Sequence, residues 1–165
     1  MGKGTPETRS AGRGARWLTA DEMETWLPLS MLLAKLPTAL GAQLQCDSQL
    51  SFIEYYVLAA LSDQPDHTLR MSQLAILANS ELSRLSHMVA RLEKRGFVRR
   101  EPDLTDRRFT TAVLTDEGHA YLVEAAPGHV ERVRCLVFDS LDADEQHALR
   151  RAAQLILERI DEGTC

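Results

Sequence analysis

The sequence predicts a mainly helical protein with one small β-hairpin, and three observations carry that expectation. Leu29, Leu32, Leu33, Leu36, Leu40 and Leu44 recur at helical spacing, so an amphipathic helix opens the chain. A second stripe, Leu82, Leu85, Val89 and Leu92, ends at Gly96, the residue suited to the left-handed position past a last helical turn. Two short stretches rich in aromatic and β-branched residues then flank a polar segment, residues 101–106, that holds one proline and three acids.

The elements follow in order. Residues 1–16 are rich in glycine, arginine and threonine and read as a disordered basic tail. Thr19 or Asp21 caps the first helix, with Asp21, Glu22 and Glu24 placing negative charge in its first turn. Pro28 falls near its start or in a local break, and Pro37 is expected to kink or interrupt it. Residues 46–49 read as a polar link. Phe52, Ile53, Tyr56, Val57, Ala60 and Leu61 form the apolar face of a second helix, and Asp63, Pro65 and Asp66 mark a loop. Leu69 is expected to be extended and to close the small sheet. Ser72 caps a short helix whose Leu74, Ala75 and Leu77 pack inward, and residues 79–81 turn the chain into the helix over 82–95. Thr115 caps the next helix, in which Pro127-Gly128 predicts a kink or short break. Asp142 and Glu145 have the spacing of a capping box, ahead of a face made by Leu149, Ala152, Ala153, Ile156, Leu157 and Ile160. So much apolar surface on the first and last helices calls for a partner chain across a two-fold axis.

Charge is distributed unevenly. The chain carries −5 overall, yet residues 84–108 hold eight bases against four acids, while residues 17–83 and 109–165 are each net −6 and residues 1–16 net +3. Cys46, Cys135 and Cys165 are too scattered for a disulfide framework or a zinc knot, which suits a reducing cytoplasmic habitat. No signal segment is apparent and no window approaches the roughly eighteen apolar residues that would span a membrane. No nucleophile elbow, P-loop, HExxH or GxGxxG occurs, and His67, His87, His119, His129 and His147 are dispersed, so neither an enzyme nor a metal site is expected. Cys135 reads as inert packing on an apolar face.

A short helix, a turn, a basic helix and a charged hairpin form an arrangement for reading duplex DNA. Base reading needs the first turns of the second helix exposed, and Arg84, Ser86 and His87 lie there. His87 has two readings, a contact to a base edge or phosphate and a solvated surface histidine. Arg91 is placed as a phosphate clamp. Ser83 reads as a cap that brings backbone N–H groups near a phosphate. Arg107 and Arg108, across the hairpin loop, suit a narrow minor groove. Arg99 and Arg100 alternate faces, so at most one points at DNA; Asp106 pairs with a hairpin arginine and fixes the loop.

At the hairpin the chain resembles the MarR family of bacterial winged-helix transcriptional regulators. Residues 91–100 fit its RLExxGxVxR pattern, Asp106 and Arg108 its DxR, and Leu114, Thr115 and Gly118 its LTxxG; the resemblance extends over residues 22–160. It implies a winged helix-turn-helix (about 50–115) plus N- and C-terminal dimerisation helices (about 20–45 and 116–162) in one domain over residues 17–165. It further implies a homodimer on a palindromic operator, with a recognition helix over 83–95 in the major groove and a wing over 99–109 in the minor groove. Family contacts fall near Arg84, Ser86, His87 and Arg91; the wing pair is Asp106–Arg108, leaving Arg107 at the groove. Such proteins usually repress and release DNA when a small aromatic or anionic effector enters a crevice between the dimer helices and the winged domain. That places Trp26, Leu29, Leu33, Tyr55 and Tyr56 as pocket candidates, with no other cofactor. Oxidant-sensing members carry a cysteine near the start of the first long helix; this chain has Trp17 and Trp26 there, and Cys46 lies beyond. An activator of the same fold, and a winged module for protein contact without DNA, are the alternatives.

Overall fold

A computed structural model describes residues 15–163, so all but the last two residues of the expected tail lie outside the described residues. The chain forms two units, one ending at Lys35 and one beginning at Leu36. Helix α1 (Ala20–Ser48) starts at a Thr19 cap, whose hydroxyl accepts from the Glu22 N–H at 3.2 Å while the Glu22 carboxylate accepts from the Thr19 N–H at 2.8 Å. In the first unit it leaves Leu27, Met31 and Leu33 exposed. The helix runs through Pro28 and Pro37, so the expected interruption does not occur. Each proline forfeits one intrahelical bond, a loss that a ladder of 29 residues can carry. It also takes up residues 46–48, expected as a link, and stops before Gln49, whose φ is +50°.

The second unit contains the fold's core. Helix α2 (Phe52–Ser62) opens with a Ser51–Glu54 capping box, followed by strand β1 (Thr68–Arg70) and helix α3 (Met71–Leu77). Helix α4 (Leu82–Lys94), strands β2 (Val98–Pro102) and β3 (Thr110–Leu114), helix α5 (Asp116–Leu136), a 3₁₀ turn and helix α6 (Ala143–Asp161) complete it. The strands form an antiparallel sheet in the order β1-β3-β2, with Thr68 opposite Val113 and Val98 opposite Leu114. Leu58 and Leu61 from α2, Leu74 from α3, and Leu85, Val89 and Leu92 from α4 are fully buried together.

Several expectations shift by a turn. Helix α3 begins at Met71 after an Arg70 cap, so Ser72 lies inside it, and Leu77 is exposed. Leu82 is 52% exposed and Met88 takes the expected inward role, because Leu82 occupies the first turn and lines an open cleft beside Ser86 and Phe109. On α2, Leu58 is buried and Tyr56 exposed. Helix α5 is unbroken at Pro127-Gly128: the Tyr121 hydroxyl donates to the Ser48 carbonyl at 2.6 Å and His129 packs on Tyr55, which holds the helix against α1 and α2 on both sides of the proline. Cys135 is exposed, not packed.

Two glycines explain how the motifs lock together. Gly96 has φ +79°, and the chain reverses there into β2. A Cβ on Gly118 would collide with the Phe97 carbonyl oxygen, so only glycine lets α5 approach that backbone. Thr115 completes the joint: its N–H donates to the Phe97 carbonyl at 3.1 Å, its hydroxyl donates to the Gly96 carbonyl at 2.6 Å, and the same oxygen accepts from the Gly118 N–H at 3.0 Å.

Candidate nucleic-acid interface

Helix α4 presents its unburied side as a row of polar residues. Ser83, Arg84, His87 and Arg91 are exposed or half-buried, as is Ser86. Ser83 is not a cap; it is the second residue of a helix whose cap position, Glu81, makes no side-chain cap bond. The hairpin tip is longer than expected and starts later, running over residues 103–109, because Glu101 and Pro102 pair with Thr111 and Thr110 in the ladder. Arg107, Arg108 and Phe109 therefore sit on the loop and not on the returning strand.

The arginines of α4 and the wing divide by partner. Arg91 donates to the Glu54 carboxylate of α2 at 3.1 Å, and Arg100 holds Glu93 at 2.7 Å and reaches the Ser86 hydroxyl at 3.4 Å. Arg99 pairs with Glu101, and Arg108 grips Asp106 through Nε and Nη2, the latter at 2.7 Å. Arg95, just past the last turn of α4, donates to the Gln49 carbonyl and lies over the Phe97 ring. Among the arginines and histidines described there, Arg84, His87 and Arg107 have no such partner. These three lie on the outer face of α4 and at the wing tip.

The paired carboxylates are held charged. Burial pushes the Glu54 carboxyl up, but bonds from the Ser51 N–H and hydroxyl and from Arg91 outweigh it and hold it below its ordinary value. Arg100 lowers Glu93, and Arg108 lowers Asp106. Asp103 lies furthest below the usual carboxylate range, through Arg70 first and then Thr105. Arg70 and Asp103, together with Glu54 and Glu93, are absent from the sequence-based set. The Asp103-x-Thr105 spacing is a turn signature that points to Asp103; the others depend on partners brought close only by folding.

Beside α4 a cavity of about 770 Å³ opens between Pro37 and Thr38 of α1, Phe52 and Ile53 of α2, and Arg84, His87, Met88 and Arg91. None of the five pocket candidates lines it. Trp26, Leu29 and Leu33 belong to the first unit, and Tyr55 faces a shallower groove with Leu122 and Ala126. No group of three or more His, Cys, Asp or Glu among the described residues is placed to hold a metal ion, and no described helix is long and apolar enough to cross a membrane.

The model of the MarR family matches residues 50–110, the stretch that carries the helix-turn-helix and most of the hairpin. Over nearly the whole chain the fold superposes on Sco3205, a MarR family transcriptional regulator from Streptomyces coelicolor solved in complex with DNA. The TM-score is 0.83 and the identity 42%, over 89% of this chain and 92% of that one. The chain belongs to the MarR family. AbsC, a second family regulator from Streptomyces coelicolor, is 34% identical with a TM-score of 0.83, over 90% of this chain and 99% of that one. The transcriptional repressor MprA of Escherichia coli is 28% identical over 110 residues, 66% of this chain and 61% of its own length. The chain thus spans about six-tenths of the length of that curated relative. Its fold is the winged helix-turn-helix of a MarR-type DNA-binding regulator, with β2–β3 as the wing.

Proposed function

We propose that this chain is a homodimeric, ligand-responsive repressor that reads a palindromic duplex site. One observation carries the reading: the arginines of α4 and the wing are tied to protein partners except Arg84 on the outer face of α4 and Arg107 at the wing tip. In this reading Arg84, Ser86 and His87 meet base edges in the major groove, and Arg107 enters the minor groove. Arg91, Arg99 and Arg108 touch phosphate while keeping their carboxylate partners, and Asp106 stabilises the wing. The uncapped first turn of α4, with Ser83 in it, offers backbone N–H groups to a phosphate.

Dimerisation is supported by α6, which buries none of its residues within the chain and leaves Leu155, Ile156, Leu157 and Ile160 exposed. Repression is supported by the likeness to MprA, itself named a repressor. The cavity beside α4 has an apolar wall and cationic groups, a lining that suits a small aromatic or anionic effector. An effector there engages Arg84, His87 and Arg91, the side chains this reading gives to the duplex. It therefore acts by competing with DNA as well as by favouring a spacing of the two recognition helices that no longer fits one turn of DNA.

Selection of bound duplexes from a random pool at fixed salt tests the reading. A palindrome with half-sites about one helical turn apart, near 34–36 Å, is expected. Enrichment of no site, or of single half-sites only, would overturn it. A thermal-shift screen with phenolic acids, followed by release of the selected duplex, tests the effector arm.

A further inference from the structure

The wing tip is organised from outside the wing. Asp103 begins the loop, its side chain only 10% exposed, and its carboxylate accepts from Arg70 Nε at 2.7 Å. The same carboxylate accepts from the N–H groups of Thr105 and Asp106 at 2.8 and 2.9 Å and from the Thr105 hydroxyl. Arg70 Nη2 also donates to the Thr105 hydroxyl at 2.9 Å, and the guanidinium lies 4.9 Å from the Phe109 ring centroid. One arginine therefore engages both ends of the tip. It lies 33 residues before Asp103, at the junction of β1 with the first helix of the helix-turn-helix.

This geometry differs from that of the other wing pairs. Asp106–Arg108 joins residues two apart within the loop and Arg99–Glu101 joins residues two apart within β2, whereas Arg100–Glu93 ties β2, below the tip, to α4. Arg70–Asp103 joins the tip to the body that carries α4. A planar fork suits it, because Nε and Nη2 engage two oxygen-bearing groups at once, which a single ammonium does not reproduce.

We propose that Arg70 and Asp103 are a positioning pair: together they fix the wing tip relative to α4, so that Arg107 is presented to its groove, while neither residue touches DNA. The proposal rests on the duplex reading given above. Arg70 then contributes to recognition although it is not at the interface, and its charge is spent inside the protein.

The test uses the full-length protein and four variants: Asp103→Asn, Arg70→Lys, Arg107→Ala, and Asp103→Asn combined with Arg107→Ala. Amide exchange without DNA is read first. Asp103→Asn and Arg70→Lys are expected to speed exchange at residues 105 and 106, with melting temperature and the exchange of α4 little changed. Binding to the selected duplex is then titrated against salt. Asp103→Asn is expected to weaken binding roughly tenfold and to lower the salt slope as Arg107→Ala does, by about 0.9 for each phosphate no longer neutralised. The double variant is expected to be no weaker than Arg107→Ala alone, because a displaced tip has already withdrawn that arginine. Arg70→Lys, which keeps the charge and folds if Asp103→Asn does not, is expected to show the same loss in part. Additive losses in the double variant, or unchanged exchange at 105 and 106, would overturn the proposal. A wild-type protein that binds no duplex while the exchange results hold would instead remove the duplex reading, and the groove role of the pair with it.

Discussion

Helices α4 and α6 are both amphipathic, yet α4 buries Leu85, Met88, Val89 and Leu92 within its own chain and α6 buries nothing. The same periodicity has two outcomes. On α4 the apolar stripe meets α2, α3 and the sheet, and the helix is held further by Arg91–Glu54 and Glu93–Arg100. On α6 the stripe of Leu149, Ile156, Leu157 and Ile160 faces solvent in the single chain. Order on the outer face of α4 is thus built internally, whereas in the proposed dimer the distance between two such faces is left to whatever covers α6. Under the proposed function that division lets spacing change while each winged unit stays intact.

The largest effect should come from the uncovered helix. Ile156→Asp with Ile160→Asp places two charges on the α6 stripe and should yield a monomer by light scattering. Loss of bivalent engagement should weaken operator binding by about a hundredfold or more, while the exchange pattern of α4 is retained. Tight operator binding by that monomer would show that α6 has no part in setting the spacing.

Next come the bare cations. Arg84→Ala should cost about 1–3 kcal/mol of binding and relax preference at one base position of each half-site. Arg99→Ala, whose side chain already pairs with Glu101, should cost less. Equal losses in the two variants would mean that intramolecular pairing says nothing about which arginines read DNA.

How much of this was legible in the sequence follows from the same contrast. Periodicity placed α4, its stop at Gly96, the Asp142–Glu145 box and the stripe on α6, because each depends on neighbours within a few residues. The continuity of α1 through Pro37 and of α5 through Pro127 was not legible, since it reflects ladder length and packing from α1 and α2 against a local penalty. Leu82 and Met88 exchanged roles for a similar reason: both lie near the edge of the stripe, and only the elements packed on α4 decide between them. At the site, residue type identified Arg84, His87 and Arg107 as candidates, but not that they alone among the cationic candidates lack a protein partner. Partners such as Glu54 for Arg91, 37 residues away, belong to the fold.

A smaller effect probes how α4 is held. Glu54→Gln removes the charge that Arg91 engages and weakens the Ser51 box, and should cost about 1 kcal/mol of stability at neutral pH by denaturant titration. The sign with pH follows from the lowered carboxyl. Because folding holds Glu54 below its ordinary 4.5, the wild-type advantage is complete above that value and shrinks as pH falls through and below it. A difference between the proteins that grows on acidification would contradict the assignment.

The smallest effect concerns His129, the joint between α5, which leads towards α6, and α2, which supports α4. Its ring lies 4.3 Å from that of Tyr55 and 6.4 Å from that of Phe52, and Nδ1 is 3.4 Å from the Gln43 side-chain oxygen. Burial disfavours the imidazolium and pushes the group below its ordinary 6.5. The unfolded chain therefore takes up a proton near that value while the folded one does not, so stability is lost as pH falls through about 6.5 and is level above it. Melting temperatures of the wild type and His129→Gln at pH 8, 7, 6 and 5.5 separate this group from the carboxylates, which titrate lower. The wild type should lose more than the variant between pH 7 and 5.5, and parallel curves would show that the joint between the two helices carries no proton linkage.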